Sequence, residues 1–303
     1  MTFSTTSIGV AAGLACALSQ TAAYIFSRLF VLRSRSAVMH LLLFSHAIMG
    51  VVAVIGLACT APLDLPPLRV YANSLMAATG FFVFGQIGLL SLMRITSPSG
   101  IAPLLGLKII VLAFLNLILF GENLRMPQWG AVVLCASAAL ILNAAGAKLS
   151  KRLMLLVLFT CSGYSLSDLG ISQLVQHLGE PGSITAALKA AFLCYALLGA
   201  FSVIVIAIQR PRCDWRAFRR FGIPYTILWF FAMLVLFLSI SSIGPVYATI
   251  LQSTRGLWSV LAGATIGYMG LVHVEARMGR FSIARRILAA LMMVTAIWLY
   301  SRA

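Results

Sequence analysis

Apolar residues run through this chain in long blocks separated by short polar connections. Ten blocks can be drawn: 8–31, 37–60, 70–93, 100–120, 128–147, 153–176, 184–208, 221–241, 245–270 and 284–300. A helix needs about 20 predominantly apolar residues to cross a bilayer core. The pattern therefore predicts an all-α integral membrane protein of ten transmembrane helices. The connections carry the expected breakers: Pro62, Pro66 and Pro67 before the third block, Gly121 after the fourth, and Pro181 with Gly182 before the seventh. Nothing is left over for a soluble domain.

One stretch comes back. Residues 98–108 (PSGIAPLLGLK) recur 147 residues later as 245–255 (PVYATILQSTR), so that Lys108 pairs with Arg255. Ser19-Gln20 in the first block matches Ser167-Asp168 in the sixth at an offset of 148. Glu122 to Arg125 and Glu275 to Arg277 hold similar places after the fourth and ninth blocks. Five blocks fill each half, 1–147 and 148–303, joined near 146–152 (GAKLSKR). An odd number of spans per half sends the second half into the membrane from the opposite side. That is the arithmetic of two inverted five-helix repeats, with a central cavity and a substrate site near the midplane.

At about 1.5 Å per residue, Lys108 lies roughly 13 Å into its span and Arg255 roughly 16 Å into its own. Both fall near the middle of an apolar slab about 30 Å thick. A cation there costs about 2.5–3.5 kcal/mol on insertion scales, and such residues mark binding sites or ion paths. The competing explanation is a buried ion pair that holds helices together. The chain has six acids, and only Asp168 lies inside a span. One carboxylate cannot neutralise two cations, so at least one positive charge is left for an anion in the cavity. Arg255 is the stronger candidate, because a guanidinium grips carboxylate or phosphate through two parallel hydrogen bonds. Asp168 has three readings: a proton or cation site, a partner for Arg255 or Lys108, or a polar contact between helices.

Gln252, Arg255 and Ser259 follow i, i+3, i+7 spacing and share one face of the ninth span. Tyr247 lies a turn and a half earlier. Gln20 and Gln86 are also deep and polar, and each suits an interhelical hydrogen bond as well as a substrate contact. Lys189 sits near the start of the seventh span, where its stem can carry the ammonium to the surface. The 263–267 stretch (GATIG) is a GxxxG step suited to close packing within the chain.

The chain is 61% hydrophobic and 9% charged, with a mean hydropathy of +1.03 and a net charge of +16. In a soluble protein that charge would point to nucleic acid. Here it lies mostly between the spans and sets orientation instead. The odd-numbered connections hold sixteen of the 22 Lys and Arg, against three on the even-numbered connections and termini. The positive side stays in the cytoplasm, which puts both termini outside.

The six Cys show no CxxC or metal spacing and read as small packing residues. His40 and His46, six residues apart, share no helix face, so neither a metal site nor a cofactor is expected. Residues 1–7 (MTFSTTS) lack the basic start of a signal peptide, and the first span is read as retained.

The run 117–125 (LILFGENLR) followed by 130–134 (GAVVL) resembles the drug/metabolite transporter superfamily in its ten-helix EamA-type branch. It matches that family's apolar run, Gly-Glu turn and Gly-led next helix. The second copy departs from it, since Gly270 and Glu275 are separated by four residues. The resemblance covers the whole chain by architecture and implies a carrier of small metabolites, amino acids, nucleotide sugars or drugs. Members are usually drawn with both termini inside, against the charge bias here. Basic residues on helices four and nine are similar to the triose-phosphate translocator branch, where such residues hold the substrate phosphate.

The leading expectation is a secondary carrier, without ATP, for a small organic anion. Lys108 and Arg255 clamp the anion, and Gln252, Tyr247, Asp168 and Gln20 complete the candidate site. The alternative is an exporter of amino acids or cationic drugs coupled to an ion gradient through Asp168. A membrane-embedded enzyme would need converging acids, nucleophiles or metal ligands, which here are scattered over span ends and loops. The expected surroundings are the lipid bilayer of a bacterial cytoplasmic (inner) membrane, as monomer or homodimer, with no nucleic-acid partner.

Overall fold

A computed structural model describes residues 5–34, 38–60, 65–93, 105–121, 123–143, 151–268 and 280–302. Among them there is no strand. The helices are α1 (Thr5–Arg33), α2 (Val38–Cys59), α3 (Leu68–Met93), α4 (Lys108–Phe120), α5 (Met126–Asn143) and α6 (Lys151–Leu178). They continue with α7 (Ile184–Gln209), α8 (Trp215–Ile243), α9 (Pro245–Ser253), α10 (Arg255–Tyr268) and α11 (Arg280–Ser301). Six of them, α1, α2, α3, α6, α7 and α8, are long and apolar enough to cross a membrane. Leu105–Phe120, Met126–Ile141 and Ile287–Ser301 are shorter apolar helices. The protein is an all-α chain with the character of a membrane protein.

Helix ends follow the sequence signals. Gly121 takes the left-handed conformation (φ 67°) and returns its N–H to the Leu117 carbonyl, closing α4. Ser183 caps α7 by accepting from the Ala186 N–H. Glu122, Glu275, the GxxxG side chains and most of the 146–152 joint lie outside the described residues or side chains.

The chain divides into two compact units, and each draws on both halves of the sequence. The first comprises Met1–Val83 and Leu166–Ala248, the second Phe84–Ser165 and Thr249–Ala303.

In the first unit α1 packs on α8. Gly9 faces Ile243, the Ser239 hydroxyl donates to the Gly9 carbonyl (2.9 Å), Tyr24 meets Trp229 and Phe30 meets Phe218. Numbers rise on α1 as they fall on α8, so the two run antiparallel. The inward face of α1 is made of small residues, among them Gly9, Ala12, Gly13, Cys16 and Ala17. Small side chains let helices approach closely where lipid gives no hydrophobic drive. Pair α2–α7 follows the same rule: Gly50 lies on Gly199, and Gly56 under the Phe192 ring, again antiparallel. The rings of His46 and Tyr195 stack beside that crossing, with centroids 6.1 Å apart. The Ser167 hydroxyl on α6 donates to the Ala78 carbonyl of α3 (2.7 Å).

Lys189 differs from expectation. It is 7% exposed, buried in this unit rather than extended to the surface. Its position falls on the inward face of α7 with Ala186, Ala190 and Cys194, and that register decides its fate.

In the second unit, Gly85 and Gly88 of α3 lie against Tyr164 and Thr160 of α6. Phe114 of α4 packs on Trp129 of α5 (5.2 Å), and Gly130 of α5 faces Leu299 of α11.

Candidate functional site

The single span expected over 245–270 is two helices, Pro245–Ser253 and Arg255–Tyr268. The Ser253 hydroxyl donates to the Ile250 carbonyl (2.6 Å), and the Thr254 hydroxyl to the Leu251 carbonyl (2.7 Å). The Thr254 N–H also turns back to Leu251 rather than one residue further, which tightens the turn. Serine and threonine side chains that bond locally in this way compete with the helix ladder. The chain leaves helical geometry at Thr254 and restarts at Arg255, the first residue of α10.

Lys108 occupies the same position in α4. It is the first α-helical residue after a 3-10 turn, Leu105–Leu107, and no side chain caps that start. The first backbone N–H groups of a helix lack intrahelical acceptors and carry about half a positive charge. Each of the two deep cations thus stands at the positive end of a helix. That placement is unfavourable for a cation alone and favourable for an anion bound nearby.

Lys108, Gln252 and Arg255 all belong to the second unit. Lys108 and Arg255 are 5% and 8% exposed, against the solvated state usual for such side chains. The Lys108 ammonium donates to the Gln252 amide oxygen at 3.3 Å. From α6 the Ser165 hydroxyl donates to the Lys108 carbonyl (3.2 Å), and the buried Cys161 lies one turn earlier on the same helix. Cys135 of α5 meets the Ser253 hydroxyl at 2.9 Å, beside the break. The two cations therefore share one polar neighbourhood, built from α4, α6, α9 and the start of α10. Gln86, also in this unit, has a buried amide oxygen with no hydrogen-bond partner among the described residues.

Gln20, Asp168 and Tyr247 are buried as well, and they belong to the first unit. The helix break puts Gln252 and Arg255 on separate helical segments, so their common setting comes from the turn and not from a shared helix face.

Cys161 and Ser165 were not among the expected site residues. Their signal was available: Thr160, Ser162, Ser165, Ser167 and Asp168 make an unusually polar run within an apolar helix. Among the described residues, no three His, Cys, Asp or Glu converge as metal ligands would.

No protein-family model and no curated protein matches the chain. A protein of known crystal structure shares its fold, with a TM-score of 0.61 and 17% sequence identity over 95% of this chain and 98% of that one. At that identity the likeness speaks for the fold alone.

Proposed function

We propose that this chain is a secondary carrier of a small organic anion, a phosphorylated or carboxylated metabolite, in a bacterial cytoplasmic membrane. It works without ATP, by alternating access of two inverted five-helix halves, 1–147 and 148–303. The observation that carries this reading is the pair of buried cations, Lys108 and Arg255, each the first residue of an α-helix, Arg255 after the break at Thr254 and Lys108 after a 3-10 turn. Interrupted membrane helices commonly present their N-termini to the anionic groups of a substrate. Arg255 supplies a two-point grip, Lys108 a point charge, and Gln252 holds the ammonium in place.

The inverted-repeat part draws support from α2 and α7. Gly50 meets Gly199 and His46 stacks on Tyr195, and the members of both pairs are 149 residues apart. That spacing is close to the 147–148 offset of the sequence repeat, and contact between near-equivalent positions is what a two-fold operator produces at its axis. The antiparallel course of these helices fits a second half that enters from the opposite face.

The test is uptake into proteoliposomes with a panel of organic phosphates, carboxylates, amino acids and lipophilic cations. An anion class should be carried, and Lys108→Ala or Arg255→Ala should reduce that uptake. If amino acids or cations are carried instead, and Asp168→Asn stops them while the two alanine variants do not, the exporter alternative replaces this reading.

A further inference from the structure

At one end of the first unit, arginines gather where three helices and a connection meet. Phe30, near the end of α1, packs edge-on against Phe218 (6.4 Å), and Phe44 of α2 packs on Trp215 (5.1 Å) and Phe218 (6.1 Å). These rings bring together the last turns of α1, carrying Arg28 and Arg33, and the start of α8, carrying Arg216, Arg219 and Arg220. Arg210 and Arg212 precede α8 in the short connection from α7. Arg33, Arg210, Arg212, Arg216, Arg219 and Arg220 are all exposed. Asp214 is the one acid between 209 and 243, and its carboxylate caps α8 by accepting from the Ala217 N–H (3.1 Å). A single carboxylate can balance one of these charges and no more.

The surface of α8 says what kind of anion fits. Arg216, Arg220, Ile223, Ile227 and Phe231 recur every three or four residues and are all exposed. Phe218, Gly222, Tyr225 and Trp229 occupy the opposite, buried face. The outward stripe is cationic over its first turn and apolar thereafter, with Ile227 63% and Phe231 49% exposed. A soluble phosphate matches the first part only. A phospholipid matches both, its phosphate at the arginines and its acyl chains along the isoleucines. Trp215, 56% exposed at the head of the stripe, is the residue type that sits at the headgroup level. The cationic zone runs into a π-turn, Phe218–Gly222, which carries Arg219 and Arg220 and is a local widening that recurs at functional sites.

We propose that this end of the first unit is a binding site for the headgroup of an anionic phospholipid. Guanidinium groups of Arg216 and Arg220 hold the phosphate through paired hydrogen bonds, and Arg33, Arg210 and Arg219 add positive field around it. The inference is independent of what the protein carries.

Native mass spectrometry of the detergent-purified full chain tests it, with diphosphatidylglycerol, phosphatidylglycerol and phosphatidylcholine added in turn. The two anionic lipids should bind at least about tenfold tighter than phosphatidylcholine, because charge-assisted guanidinium–phosphate bonds are the strong ones. The triple variant R216Q/R219Q/R220Q should lose that preference, and R302Q, at the C-terminus, should keep it. Should the triple variant fail to fold, R216Q and R220Q singly carry the same test, each lowering the preference at least about twofold. Equal binding of charged and zwitterionic lipids by the unmodified protein would overturn the proposal, as would an unchanged preference in the arginine variants. Displacement of the lipid by equimolar glycerol 3-phosphate would also overturn it, by showing that a soluble phosphate suffices.

Discussion

Gly50 and Gly199 meet backbone to backbone. A Cβ on Gly50 would fall 2.6 Å from the Cα of Gly199, and one on Gly199 would fall 2.5 Å from the Cα of Gly50. Neither atom is the tip of a flexible side chain, so a methyl group at either place must push two helices apart. Each helix already carries its neighbours along: the Tyr195 carbonyl lies beside Gly50, and the His46 carbonyl beside Gly199.

Gly50→Ala and Gly199→Ala should each destabilise the protein by about 1–3 kcal/mol, the usual cost of overpacking. Thermal unfolding in detergent reads this as a lower midpoint. Gly80→Ala is the control, since nothing lies within 4 Å of its Cβ position. That variant should unfold at or slightly above the parent temperature, because alanine is the better helix former. An equal loss in all three would mean that close contact at Gly50 and Gly199 is not the cause.

Transport should depend on the paired cations of the second unit. A hydrogen bond to a charged group is worth about 1.5–3 kcal/mol, so Lys108→Ala or Arg255→Ala should weaken apparent substrate affinity about ten- to hundredfold. Arg255→Lys should also weaken it, since an ammonium cannot reproduce the two-point contact. Proteoliposome uptake at matched protein content measures the effect. Normal uptake by both alanine variants would remove the pair from the site.

Gln252→Leu takes away the acceptor 3.3 Å from the Lys108 ammonium while keeping a similar volume. It should reduce uptake less than Lys108→Ala does, because the charge stays and only its restraint is lost. A loss equal to that of Lys108→Ala would make Gln252 a direct substrate contact instead.

The charge bias of the connections predicts the orientation. In intact cells an impermeant maleimide should label cysteines placed at Ser4 and Ser301 and leave Cys213, in the arginine-rich connection, unlabelled. The opposite pattern would reverse the assignment and restore the arrangement with both termini inside.

Once the membrane is opened, Cys213 should still react slowly. Partial burial and the neighbouring Asp214 carboxylate both push its thiol pKa up, so less of the reactive thiolate exists at a given pH. Asp214→Asn removes one of these causes and should speed labelling near pH 8. An unchanged rate would leave burial as the sole control.

The sequence by itself determined the helical class, the near-absence of room for anything but membrane helices, and which residues would be costly to bury. Ten apolar blocks are a matter of composition along the chain, and each overlaps a described helix. Lys108 and Arg255 stood out because a full charge in an apolar run is conspicuous whatever surrounds it. Only the tertiary structure decided what a one-dimensional pattern cannot hold. The helix break at Thr254 depends on hydroxyls that bond back to Ile250 and Leu251, and Ser253-Thr254 could equally have sat inside an unbroken helix. Lys189 is buried because its register on α7 turns it inward, a choice made by the helix it packs among. The assembly of Lys108, Gln252, Cys161 and Ser165 required three chain segments to meet. Hydrophobic periodicity fixes which face of a helix is inward, but the partner across that face is selected by shape, as Gly50 selects Gly199.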